Sequence, residues 1–229
     1  MRVGGREHLP ERGPLLLAAR HYHHLHDATV ILTVLNRPVQ ILVALDWVRG
    51  RWGRLVMEWA CRTARWPFVL RADSPHLSGG GAGGQVQLAA SAYRSDESVP
   101  VLRRAVQDTT RLFEAGGALL IFPEAYPRID PERGPSRDED ALLPFQPGFA
   151  KFVAHAQQAT GVLVPIVPVG LQYQEGERWQ VTVRFGAPVY LRPPVTVNTV
   201  VQEVEARVRT LSASYTIPQL PEETPEGAR

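Results

Sequence analysis

The stretch PLLLAARHYHHLHDATVILTVLN, residues 14–36, sets an apolar run, a polar knot and a second apolar run in succession. Leu15 to Ala19 form an unbroken apolar block, the mark of a short strand buried on both faces. After Asp27 the apolar residues take helical spacing and stop before Pro38, which cannot continue a helix. Asp27 suits the N-cap of that helix, because a carboxylate accepts from the open N–H groups of a first turn. The knot between them, HYHHLHD (residues 21–27), holds four histidines and an aspartate and is predicted to be a strand-to-helix loop. Strand followed at once by helix is the unit of a parallel sheet, and the loops beyond the carboxyl ends of its strands are where ligands bind.

The alternation continues outward. VQILVA (residues 39–44) is expected to be a second strand, with a Trp- and Arg-rich helical stretch from Asp46 to Trp66 and a short strand in FVLR (residues 68–71) after it. SGGGAGG (residues 78–84) is expected to be a flexible loop. Val101, Leu102, Ala105, Val106, Thr109, Leu112 and Phe113 mark a helix ended by Gly116 and Gly117, and ALLIFPEAYPR (residues 118–128) is a buried strand halted at Pro123. A helix is predicted from near Gly148, then strands in VLVPIVPVGLQY (residues 162–173) and WQVTVRFG (residues 179–186). Val197, Val200, Val204, Val208 and Leu211 put a last helix on one stripe. The expectation is one α/β domain over residues 1–217, a mainly parallel mixed central sheet flanked by helices, with residues 218–229 as a frayed tail.

With 229 residues, 44% of them hydrophobic and 21% charged, the chain can bury one large core. A net charge of +2 is too small to suggest nucleic acid as a partner, and the basic excess is almost all arginine, which suits phosphate. Cys61 is the single cysteine, so no internal disulfide and no thiolate zinc site is available. The first residues lack an apolar core of an export signal, and no apolar run reaches the roughly 20 residues a spanning helix needs. A cytoplasmic location is expected.

A histidine titrates near neutrality, and a carboxylate that accepts from its second ring nitrogen fixes the tautomer, so a His-Asp pair is a natural base for a hydroxyl. His23 lies four residues before Asp27 and would stack on it if the helix began a turn early, whereas His21 needs the loop to fold back. His23 is favoured on that spacing, with His21 kept open. The plainer alternative makes Asp27 only a helix cap and the histidines solvated loop residues.

Four blocks, taken in order, resemble the lysophosphatidic acid acyltransferase family, the PlsC-type glycerolipid acyltransferases. They are HYHHLHD, AYRSD (residues 92–96), IFPEAYPR (residues 121–128) and VPIVPVGLQY (residues 164–173), and PFQPGFAKF (residues 144–152) is similar to that family's turn into a helix. Three details depart from the family pattern: Tyr22 stands where the histidine of a His-x4-Asp motif belongs, Ala125 replaces a glycine, and Arg128 comes one place late. The resemblance implies the glycerol-3-phosphate acyltransferase-like fold and metal-free transfer of an acyl group from acyl-CoA or acyl carrier protein to the hydroxyl of a lysophospholipid. It implies a histidine base oriented by Asp27, with Arg94 and Arg128 on the acceptor phosphate and Glu124 ordering Arg128 or binding the glycerol. No cofactor is implied.

A lipid acceptor calls for a route to the bilayer. Trp52, Trp59 and Trp66 are seven apart, with Arg51, Arg62 and Arg65 alongside, which is either an interfacial anchor on the inner face of the membrane or an aromatic stripe of the core. Two rival functions stand beside acyl transfer. One is a zinc metallohydrolase using the histidine cluster with His76 and His155, although Leu25 occupies a position where its ligand motif needs an aspartate. The other is a non-catalytic lipid-binding member of the same fold.

Overall fold

Leu15–Ala19 does form a strand, and each of its five side chains is fully buried. A strand with no polar face has to be covered on both sides, so its sheet becomes the middle layer of the domain. The structure, a computed structural model, describes residues 1–23, 26–71, 91–127, 129–130, 134–135, 142–174 and 179–213. In chain order the elements are β1 (Arg2–Gly4), β2 (Leu15–Ala19), α1 (His26–Val34), β3 (Val39–Ile41), β4 (Val43–Ala44), α2 (Gly50–Ala64), β5 (Phe68–Val69), α3 (Ser98–Glu114), β6 (Ala118–Ile121), β7 (Ile129–Asp130), β8 (Gly134–Pro135), α4 (Gly148–Thr160), β9 (Ile166–Gln174), β10 (Gln180–Phe185) and α5 (Val197–Ser212).

The main sheet runs β1-β10-β9-β2-β6-β3. β2 pairs in parallel with β6 on one side and β9 on the other, β3 is parallel to β6, and β10 is antiparallel to β9. This is the expected α/β domain with a mainly parallel mixed sheet flanked by helices. The pleat of β2 divides the core. Leu16 and Ala18 join Leu119, Ile121 and Ile166 under α3, α4 and α5, whereas Leu15, Leu17 and Ala19 join Leu120, Val167 and Val169 under α1. Truncating any of these leucines to alanine costs about 2–5 kcal/mol. Gly170 lets α5 lie directly on β9, since a Cβ there would sit 2.5 Å from the backbone carbonyl carbon of Leu211.

Several local expectations change. The apolar run VQILVA is two strands, because the chain changes partner at Leu42. Its N–H donates to Leu120 of the main sheet, and that of Val43 donates to Pro67, leading into a small parallel pair of β4 with β5. Helix α2 begins at Gly50 instead of Asp46, whose fully buried carboxylate pairs with Arg71. Asp27 is the second residue of α1 and not its cap. Trp52 and Trp59 point outward, 81% and 67% exposed, but Trp66 lies beyond the helix and packs inward beside β3, β4 and β5. The glycine-rich segment 78–84, Arg128 and the tail 218–229 lie outside the described residues.

Candidate active site

β2 and β6 are parallel neighbours, so their carboxyl ends open side by side, and each delivers a polar cluster. Beyond β2, Arg20 extends the ladder by donating its N–H to Val169 at 3.1 Å. The next N–H, of His21, leaves the ladder and donates to Glu124 Oε1 at 2.6 Å. Glu124 follows β6, is 3% exposed, and takes the N–H of Leu143 on its other oxygen at 3.0 Å. Burial pushes its carboxyl up to about 7 against the opposing pull of those two N–H groups and the charge of Arg20. Glu124 thus clasps the backbone at the base of the histidine loop.

The loop folds back. His21 Nδ1 lies 3.0 Å from Asp27 Oδ2, the two residues being six apart in sequence. Asp27 is fully buried, and an ionised carboxylate only accepts, so Nδ1 carries the proton and Nε2 the lone pair. The same oxygen accepts the N–H of Tyr22 at 2.5 Å and that of His23 at 2.8 Å, while Oδ1 accepts the hydroxyl of Tyr173 at 2.6 Å. These bonds take up the residue by which the His21-to-Asp27 spacing exceeds His-x4-Asp. The imidazole of His21 stacks on Phe122, with centroids 4.3 Å apart, which sets the ring plane.

His23 does not take the place that its spacing suggested. Helix α1 begins at His26, too late to stack His23 on Asp27, and only the backbone N–H of His23 meets the carboxylate. Its ring is edge-on to Tyr173 at 4.8 Å and to Tyr22 at 4.9 Å, and burial lowers its pKa, favouring the neutral form. Arg94 sits at the turn before α3 with its side chain 80% exposed and paired with Asp96 at 2.8 Å. Arg128 lies outside the described residues.

Sequence reasoning missed three contributors. Tyr173 is the last residue but one of the strand β9, and nothing local marks it as a partner of Asp27. Arg71 donates to both oxygens of Asp46, at 2.7 Å from Nη2 to Oδ2, donates to the carbonyl of Ala125, and lies 3.9 Å over the ring of Tyr126. It thereby holds the turn after Glu124, in which Ala125 adopts a left-handed backbone with φ 64°. Arg20, 5% exposed, places its guanidinium 5.5 Å from the Tyr22 ring centroid.

Among the described residues no group of three or more His, Cys, Asp or Glu is placed to hold a metal ion; His24 and His76 lie outside them. Nor is any described helix long and apolar enough to cross a membrane.

Comparison with known proteins agrees with this geometry. The fold is similar to that of the 1-acyl-sn-glycerophosphate (LPA) acyltransferase PlsC from Thermotoga maritima, with a TM-score of 0.52 and 18% identity over 91% of this chain and 69% of that one. No curated protein sequence matches. The acyltransferase family model matches residues 1–172, taking in the His21-Asp27 pair, Glu124 and the strand that flanks them. That match sets aside the metallohydrolase alternative, and with three quarters of its length covered, the chain belongs to the acyltransferase family.

Proposed function

We propose that the chain moves a fatty acyl group from a thioester donor, acyl-CoA or acyl carrier protein, to the hydroxyl of a lysophospholipid such as lysophosphatidic acid, with His21 as the base. The observation that carries this reading is the 3.0 Å contact of His21 Nδ1 with the buried Asp27, which leaves the lone pair on Nε2. Nε2 removes the proton of the acceptor hydroxyl, whose oxygen attacks the thioester carbonyl carbon. The carbonyl oxygen becomes an oxyanion, for which backbone N–H groups of the FPEAY turn are the proposed donors. When the intermediate collapses, the C–S bond breaks and the thiolate takes the proton from the imidazolium. Asp27 stabilises that imidazolium while the charge exists.

Glu124 acts in this scheme by fixing the His21 backbone, a use the hydrogen bonds support more directly than contact with glycerol. Arg94 and Arg128 are proposed for the acceptor phosphate, since paired guanidinium donors match phosphate oxygens; Arg94 would exchange Asp96 for it. Docking on the inner face of the cell membrane is proposed through α2. Trp52, Leu55, Val56 and Trp59 form an outward apolar stripe, each at least 58% exposed, with Arg51 and Arg62 also exposed beside it. A Trp52→Ser, Trp59→Ser double variant is expected to lose flotation with anionic liposomes while melting as wild type does.

The test of the reaction is acyl transfer to lysophosphatidic acid from acyl-CoA and acyl-carrier-protein donors in EDTA, comparing wild type with His21→Ala, His23→Ala and Asp27→Asn. Activity that survives chelation, collapses in His21→Ala and persists in His23→Ala is expected. Collapse in His23→Ala with His21→Ala active would transfer the role to His23. Absence of turnover with every donor would favour a non-catalytic lipid-binding protein.

A further inference from the structure

We propose that Tyr173 is a positioning residue of the catalytic unit, which through its hydrogen bond to Asp27 sets how strongly that carboxylate supports the imidazolium of His21. The proposal rests on the reading of His21 as the base. The two oxygens of Asp27 are in different situations. Oδ2 accepts from three N–H groups, all on the loop from β2: the His21 ring and the backbones of Tyr22 and His23. Oδ1 accepts from a hydroxyl on β9, the other strand neighbouring β2, at 2.6 Å. That length is characteristic of an O–H donor on a carboxylate, a strong, charge-assisted bond.

Burial and the charge of Asp27 both push the Tyr173 phenol up, so it stays protonated and donates throughout the working range. A donor on Oδ1 withdraws negative charge from the whole carboxylate and so moderates the pull of Oδ2 on the Nδ1 proton. The residue also clamps the enlarged loop. Its ring stacks on Tyr22 with centroids 5.3 Å apart and meets the edge of His23 at 4.8 Å, the two residues whose N–H groups reach Oδ2. A phenylalanine would keep those ring contacts and remove only the hydroxyl.

Among the described residues, the charged and titratable groups around the pair are Arg20, Tyr22 and His23 on the loop, His26 on α1, Glu124 beyond β6 and Tyr173 on β9. Glu124 titrates near neutrality, but it is common to wild type and Tyr173→Phe, so a difference between their profiles reports the hydroxyl.

The experiment uses the full chain as wild type, Tyr173→Phe, Asp27→Asn and the double variant. Acyl transfer to lysophosphatidic acid is followed from about pH 5 to 9, where a histidine base titrates. The low-field ring N–H proton of a His-Asp hydrogen bond, assigned by its loss in His21→Ala, is followed by NMR without substrate. For Tyr173→Phe the expected results are a kcat raised by about twofold with KM unchanged, and an acid limb displaced to higher pH by about half a unit. The low-field proton moves further downfield, because the unmoderated carboxylate pulls harder on it. In the Asp27→Asn background the second substitution is expected to leave the acid limb in place, since the hydroxyl acts through the charge. A Tyr173→Phe enzyme with wild-type kcat, pH profile and low-field proton overturns the proposal, as does a fall in kcat with neither the profile nor the proton moved, which would make Tyr173 a packing residue. Activity retained in His21→Ala is a separate failure, that of the base itself.

Discussion

Asp27 and Asp46 are the two fully buried aspartates of the described chain, and both stand where the sequence suggests the opening of a helix. Neither caps one. Asp27 gathers a histidine ring, two backbone N–H groups and a phenol, whereas Asp46 holds the guanidinium of Arg71 on both of its oxygens. The partners decide what each carboxylate can do. An imidazole gains and loses a proton near neutrality, so Asp27 faces a charge that appears and vanishes during a reaction. Arg71 never releases its proton, so Asp46 faces a constant charge and serves to hold shape. Both still act at the same edge of the sheet, Asp27 on the loop after β2 and Asp46 through Arg71 on the turn after β6.

The sharpest way to break the comparison is to remove the charge of each aspartate in turn. Asp27→Asn keeps the volume but cannot support an imidazolium; kcat is expected to fall by about a thousandfold in steady-state acyl transfer, with most of the fold retained. Asp46→Ala strands the buried end of a permanent cation and should destabilise the chain by about 3 kcal/mol in urea unfolding. Its kcat per folded molecule falls far less than that of Asp27→Asn, and equal losses of kcat in the two variants would erase the distinction. Arg71→Lys retains the charge but loses the fork that reaches Asp46 and Ala125 together; about 1–2 kcal/mol of stability is expected to go, again by urea unfolding.

Glu124 sharpens the contrast, because its burial outweighs the two N–H groups and the Arg20 charge that favour its ionised form. Its folded pKa of about 7 lies above that of the unfolded chain, so the folded state holds its proton longer. Stability from this group is therefore whole below the usual carboxylate range, declines as pH rises, and is lost above about 7. Glu124→Gln should flatten that part of the pH dependence in thermal melts; an unchanged slope would place its source elsewhere.

The sequence made β2 legible because a strand covered on both faces needs no polar residue, and an unbroken apolar run says so. The same reasoning joined β3 to β4, since Leu42 is apolar on either reading and the change of partner depends on Pro67 and Leu120, far along the chain. In the site, Asp27 and Glu124 were legible as polar residues just beyond apolar strands. Which histidine meets Asp27 was not. Helical spacing favoured His23, but the outcome rests on contacts 103 and 146 residues apart, in which Glu124 holds the His21 backbone and Tyr173 holds the far oxygen of Asp27. Arg94 was legible as an arginine before a helix, yet Asp96 and Glu97, which open that turn, are also what its guanidinium and N–H bind. The pairing of Arg71 with Asp46 spans 25 residues with no periodicity to announce it.

Ala125 links these observations to the freedom of the chain to vary. A left-handed alanine is held at an expense of about 1 kcal/mol, and the carbonyl that Arg71 grips is Ala125's own. Glycine adopts this backbone unaided, so in an Ala125→Gly chain the clamp has less to enforce and Arg71 becomes easier to replace. The two positions are epistatic: the tolerance of one for substitution is written in the residue that occupies the other.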